Sequence, residues 1–244
     1  MSSETSYPNH EAFRKAYQRI EEYLRAKYRG GNASYASIPE ILDKLAPADA
    51  AVRAHRPDIL TIQDLRNAIV HNRQLLADVT GEAVQLAESI ADHLERPPLV
   101  DAFVRPTVTV ESEANLAEAV SQMAAHDFSQ LPVTREDRLE NLLTANTLAR
   151  WLGSQTEQDI LSLKETPVAE VLQHAEDAET WRPVGRSATL FDVLEAFGRT
   201  QEKGKRLAAL IITQNGKRGE KPLGIITAWD LMQVHQSLEG KKGN

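Results

Sequence analysis

Cysteine is absent from all 244 residues. That excludes a disulfide framework, a thiolate metal site and a cysteine nucleophile, and it suits a reducing compartment. Long apolar runs are missing too: no stretch approaches the roughly 18 consecutive apolar residues that a membrane-spanning helix needs. The opening MSSETSYPNHEAFRKAY has no basic region followed by an apolar core, so it does not read as a secretory signal. Excess positive charge is also lacking. With 28 Lys and Arg against 35 Asp and Glu, the net charge of −7 argues against a protein that coats nucleic acid non-specifically, because neutralising phosphate takes clustered cations. His and acidic residues do not cluster at metal-ligand spacing, so no metal is expected. These absences describe a cytoplasmic protein with no membrane partner. Its 41% hydrophobic and 26% charged residues suffice for one large folded domain or two modest ones.

What is present divides near HLERPPLVDAF, where Pro97 and Pro98 stop any helix carried through from Thr80. Residues 1–96 read as an all-α helical bundle. Apolar periodicity places helices over 11–29, 38–45, 61–76 and 80–94, the second with Ser37 as its cap and Pro39 in its first turn. Gly30 and Gly31 end the first helix, and APADAAVRAHRPD reads as a connection between the second and third. Residues 97–244 change rhythm to an α/β pattern, and the pattern occurs twice: strand, helix, strand, turn, strand, helix from Thr107 and again from Trp181. The repeats span about 101–155 and about 166–238, and paired repeats leave ligand clefts where they meet.

The second repeat carries GIITAWDLM, residues 224–232. Glycine, two apolar residues, Thr, two free positions and Asp resemble the signature of the CBS domain. In that family, tandem βαββα units form a Bateman module and bind adenosine nucleotides such as AMP or ATP. The resemblance implies that Thr227 and Asp230 contact phosphate and ribose. The residue types suit the task, since a Thr hydroxyl where a strand meets a helix can reach phosphate, and a carboxylate accepts from both ribose hydroxyls. The same pair also makes a good helix N-terminus, Thr capping and Asp favoured in the first turn. In the first repeat, ENLLTANT keeps Thr144 but has Asn141 at the glycine position and Thr147 in place of the aspartate. One competent site is therefore expected, with Lys203, Lys205 and Arg206 as candidate cations beside it.

In the helical part, DLRNAIVHN carries more polar chemistry than a packing helix needs. At about 100° per residue, Ile62, Leu65, Ile69 and Leu76 form an apolar stripe, with Asn67 and His71 together on the other side and Arg66 flanking it. RNAIVH resembles the arginine, four residues, histidine motif of the HEPN superfamily, whose helical domains dimerise so that two copies of the motif meet. That resemblance covers roughly residues 8–95 and implies a metal-independent ribonuclease. His71 would act as general acid or base, Arg66 would hold the phosphate and Asn67 would orient them, giving 2′,3′-cyclic phosphate ends. A homodimer, an RNA substrate and an inhibitory protein are the partners this reading expects. The alternative is a non-enzymatic nucleotide sensor whose helical part only dimerises or recruits a partner. A nucleic-acid-binding regulator is a third class, without an evident recognition helix. Residues 1–100 hold 12 Lys and Arg against 14 Asp and Glu, so charge does not separate these readings. The basic run FRKAYQRIEEYLRAKYR reads as a solvated face with partners such as Glu21 and Glu22, or as the lining of an RNA groove.

The other histidines are scattered singly. Trp151, Trp181 and Trp229 sit at repeat edges, where packing or base stacking would each account for them.

Overall fold

The computed structural model describes residues 8–30, 33–71, 79–157, 160–176, 179–202 and 204–239, with the backbone alone at 71, 179, 201 and 202. The chain forms two compact units, Met1–Pro98 and Leu99–Asn244.

The first unit is helical: α1 (Pro8–Lys27), α2 (Ile38–Leu45), α3 (Ala50–His71) and α4 (Gly81–Glu95). Helix α1 turns Phe13, Ala16, Tyr17, Ile20 and Leu24 inward at helical spacing, against Val84, Ala87, Ile90, Ala91 and Leu94 of α4. Arg19 fixes the pairing from outside, donating to Glu95 at 2.6 and 3.0 Å and to Asp92 at 2.6 Å. The basic run of α1 is thus largely paired, Arg25 with Glu21 at 2.7 Å and Lys27 with Asp49 at 3.1 Å. The Ser37 cap follows the sequence signal, its Oγ accepting from Glu40 N at 3.3 Å, and Thr80, expected as the first residue of the fourth helix, instead caps it, its Oγ1 accepting from Ala83 N at 3.3 Å.

The third helix departs from the sequence expectation. It begins at Ala50, eleven residues before the expected start at Thr61, and carries Pro57 in its interior. Proline inside a helix costs about 3 kcal/mol. Yet Ala51, Val52, Ile59 and Ile62 continue one buried face across it. Burying Val and two Ile contributes roughly 1.5–3 kcal/mol each, so the face wins over the proline. Asp49 caps the early start, its Oδ1 accepting from Val52 N at 3.1 Å. The expected continuation to 76, including Leu76, lies outside the described residues, as does Gly31.

The second unit holds two sheets of one topology. In the first, β1 (Val110–Glu111) runs parallel to β2 (Gln130–Arg135), which pairs antiparallel with β3 (Arg138–Thr144). In the second, β4 (Glu179–Gly185) is parallel to β5 (Arg206–Thr213), which is antiparallel to β6 (Gly224–Thr227). Helices α5 (Leu116–His126) and α6 (Ala145–Ser154) belong to the first repeat, and α8 (Leu190–Glu202) and α9 (Leu231–Leu238) to the second; the single turn α7 (Val168–Val171) lies between them. Leu139 and Leu142 of β3 share a buried cluster with Ala209 and Ile211 of β5, which joins the repeats.

Each repeat is completed by the segment that precedes the other. Residues 99–105 dock on the second repeat, with Val100 N bonded to Ala188 O at 2.9 Å and Arg105 N to Leu223 O at 3.1 Å. Residues 163–169 dock on the first, with Leu116 N bonded to Thr166 O at 2.8 Å and Ala169 N to Ser112 O at 2.9 Å. Among the described residues, no helix is long and apolar enough to cross a membrane.

Candidate functional site

Strand β6 ends at Thr227, whose extended backbone turns the chain through residues 228–230 into α9. Thr227 Oγ1 accepts from Trp229 N at 3.2 Å and donates to Asp230 Oδ2 at 2.9 Å, while Thr227 N donates to the same Oδ2 at 2.8 Å. This reciprocal cap holds the Asp230 carboxylate rigidly by one oxygen. The other, Oδ1, faces Arg105 Nη2 at 3.2 Å.

The glycine that opens the motif has a packing reason. A Cβ at Gly224 would stand 2.6 Å from the Phe103 carbonyl oxygen and 3.0 Å from Ile212 Cδ1. Glycine therefore lets the 99–105 segment lie against β6, which carries Arg105 to Asp230.

Thr227, Trp229 and Asp230 line a cleft of about 500 Å³ together with residues of the first repeat and its lead-in, among them Arg105, Asp127 and Phe128. Sequence reasoning missed the contribution of the other repeat. Lys205, just before β5, and Arg206, its first residue, are not among the residues lining this cleft; among the described residues the cation that lines it is Arg105. Registers show why. Val133 pairs with Asn141 in the first repeat and Ile212 with Gly224 in the second, so Gly224 corresponds to Asn141, Thr227 to Thr144 and Asp230 to Thr147. Six residues before Val133 stands Asp127, and six before Ile212 stands Arg206. Arg206 therefore holds in the second repeat the position that Asp127 holds in the first. Aligning the two repeats is the signal that would have found this. Lys203 lies outside the described residues.

At that corresponding position the chemistry differs. Thr144 Oγ1 accepts from Thr147 N at 3.1 Å and meets Thr147 Oγ1 at 3.0 Å, and both side chains are buried. Asn141 Oδ1 accepts from Trp181 Nε1 at 2.9 Å, and Asn146 donates to Glu176 at 3.0 Å. A closed, neutral cap stands where the second repeat presents a carboxylate. Trp151 is buried and Trp181 is held by Asn141 and covered by the Arg218 guanidinium at 4.3 Å, so packing accounts for both; Trp229 is 89% exposed at the cleft.

In the helical unit, Arg66 Nη1 donates to Asn67 Oδ1 at 3.2 Å, and its guanidinium lies 5.8 Å from the ring centroid of Tyr17. Arg66 and Ile69 line a groove of about 420 Å³ with His10, Phe13 and Arg14 of α1. The structure brings Arg66 and Asn67 together. His71 is the last residue of α3, and its side chain lies outside the described residues. Among the described residues, no group of three or more His, Cys, Asp or Glu is placed to hold a metal.

The fold of residues 99–244 is a pair of CBS-like α/β units with a cleft beside Thr227 and Asp230. Residues 100–154, the first of the two α/β repeats, match the family model described as CBS domain. Three solved structures are similar to the chain. A putative acetoin utilization protein, AcuB, from Vibrio cholerae is 20% identical with a TM-score of 0.45, covering 58% of this chain and 92% of that one. The CBS domain of the bacterial CNNM/CorC family Mg2+ transporter, solved with ATP, is 23% identical with a TM-score of 0.42, covering 60% and 91%. CbpB in complex with c-di-AMP is 15% identical with a TM-score of 0.46, covering 64% and 94%. No curated protein matches the chain.

Proposed function

We propose that residues 99–244 form a regulatory module that binds one adenine nucleotide in the cleft beside Thr227 and Asp230. The observation that carries this reading is the Asp230 carboxylate, 15% exposed and clamped by Thr227, presenting its second oxygen to a cleft of about 500 Å³. That volume is in the range of small-molecule sites. A fixed carboxylate is the acceptor that a ribose cis-diol requires, and the CBS resemblance supplies the adenine base. The neutral, buried Thr144–Thr147 cap supports a stoichiometry of one nucleotide per chain.

Calorimetric titration with AMP and ATP tests the reading. The wild type is expected to bind with a stoichiometry of one. Asp230→Asn replaces a charged acceptor, a change worth about 1.5–3 kcal/mol, and so should weaken binding by roughly ten-fold or more. Wild-type protein that binds neither nucleotide would sink the proposal.

A second reading concerns the helical unit and rests on the Arg66–Asn67 pair beside a groove that Arg14 and His10 also line. In it the unit is HEPN-like and dimerises, and Arg66, Asn67 and His71 cleave RNA without metal. Incubating an RNA pool in EDTA with wild type and His71→Ala, with and without AMP, separates this from a non-enzymatic sensor. Cleavage that leaves cyclic phosphate ends and disappears in the variant supports it. Nucleotide binding without cleavage leaves the sensor alone.

A further inference from the structure

Arg105 occupies the place from which a ligand hydroxyl would reach Asp230. Its Nη2 lies 3.2 Å from Asp230 Oδ1, the oxygen that Thr227 leaves unused. The two ends of this pair differ in freedom. Asp230 is 15% exposed and held at Oδ2, whereas the Arg105 side chain is 55% exposed. The Arg105 backbone is anchored independently of that side chain: its N–H donates to Leu223 O at 3.1 Å, its carbonyl accepts from Thr107 Oγ1 at 3.0 Å, and Pro106 restricts its conformation. The guanidinium can therefore swing without disturbing the fold.

The cleft's charge adds the second argument. Asp127 and Asp230 both line it, and among the described lining residues Arg105 is the cation opposing them. A phosphate entering the cleft meets two carboxylates, and Arg105 supplies the attraction that offsets them. A ribose diol offers two O–H donors to Asp230 but no anion to a displaced guanidinium.

We propose that Arg105 is an exchangeable latch that makes the cleft select a phosphorylated nucleoside over the bare nucleoside. In the empty site it pairs with Asp230. On binding, the ribose diol takes Asp230 Oδ1 and the guanidinium turns to the ligand phosphate, where bidentate N–H donation suits phosphate geometry. Adenosine must break the ion pair and leaves Arg105 without an anion; AMP replaces one anionic partner with another. The inference rests on the nucleotide reading of the cleft.

The test is titration of full-length wild type, Arg105→Gln, Arg105→Lys and Asp230→Asn with AMP and with adenosine, with Trp fluorescence melts confirming that each variant is folded. Wild type is expected to bind AMP at least ten-fold tighter than adenosine. In Arg105→Gln, AMP should weaken about ten-fold while adenosine binds as well as before or better, so the ratio falls toward one; Arg105→Lys should keep a preference for AMP. Equal weakening of both ligands in Arg105→Gln would make Arg105 structural and overturn the proposal, as would an unchanged ratio. If wild type binds AMP, Asp230→Asn loses it and Arg105→Gln leaves the ratio intact, the nucleotide reading stands and the latch fails. If wild type binds neither ligand, both fail.

Discussion

Gly224 and Asp230 show how single residues divide stability from binding within one motif. A methyl group at Gly224 meets the Phe103 carbonyl at 2.6 Å, backbone that cannot step aside without undocking the 99–105 segment. Gly224→Ala should cost about 1–3 kcal/mol, the usual penalty of overpacking a tight contact. Urea denaturation followed by Trp fluorescence reads this directly, because all three tryptophans, at 151, 181 and 229, lie in the C-terminal unit. Asp230→Asn should instead spare most of the stability and weaken the proposed nucleotide binding by roughly ten-fold or more. Thr227→Val loses the hydroxyl that caps the turn and should do both, lowering stability by about 1 kcal/mol.

At the scale of elements, the contact between α3 and α4 carries the clearest pH dependence. His55 Nε2 lies 3.1 Å from His93 Nδ1, with the rings stacked at 5.2 Å. Burial, aided by His93 and opposed by Asp58, pulls His55 down to about 4. The folded unit thus refuses a proton that the unfolded chain accepts near pH 6.5. Stability from this site is complete above about pH 6.5 and is lost as pH falls toward 4. Urea titrations followed by helical ellipticity at pH 7.5 and 5.0 should show the loss, and His55→Gln should reduce it; equal pH dependence in the two proteins would remove His55 as its source. In the same helix, exposed Pro57 contributes nothing to the buried face that carries α3 past it. Pro57→Ala should restore an interior helix hydrogen bond and raise the melting temperature of the helical unit, by up to about 3 kcal/mol of stability.

For the molecule as a whole, the reciprocal docking of lead-in segments makes the C-terminal unit indivisible. A fragment of residues 99–157 loses the bonds from Leu116, Ala117, Val168 and Ala169 to their partners, and with them Val168 and Val171 from its core. It should show no cooperative thermal transition, whereas residues 99–244 melt as one; a sharp melt of the short fragment would contradict this arrangement. The same exchange builds the cleft, whose wall combines the second repeat's Thr227 and Asp230 with Arg105 and Asp127 from the first repeat and its lead-in.

Local rules carried much of this protein into view from its sequence alone. The proline pair, the cap at Ser37, helical and strand periodicities and a duplicated βαββα order are short-range signals, legible because they depend on neighbours within a few residues. So was the Thr227–Asp230 pair, whose residues lie three apart and cap each other. Two features needed the folded chain. The start of α3 was hidden because the proline rule is local, while the burial of Val52, Ile59 and Ile62 that overrides it depends on partners distant in sequence. The cation of the cleft was hidden for the same reason: Arg105 and Asp230 are 125 residues apart, and their meeting depends on how one repeat's lead-in docks on the other repeat, which only tertiary packing decides.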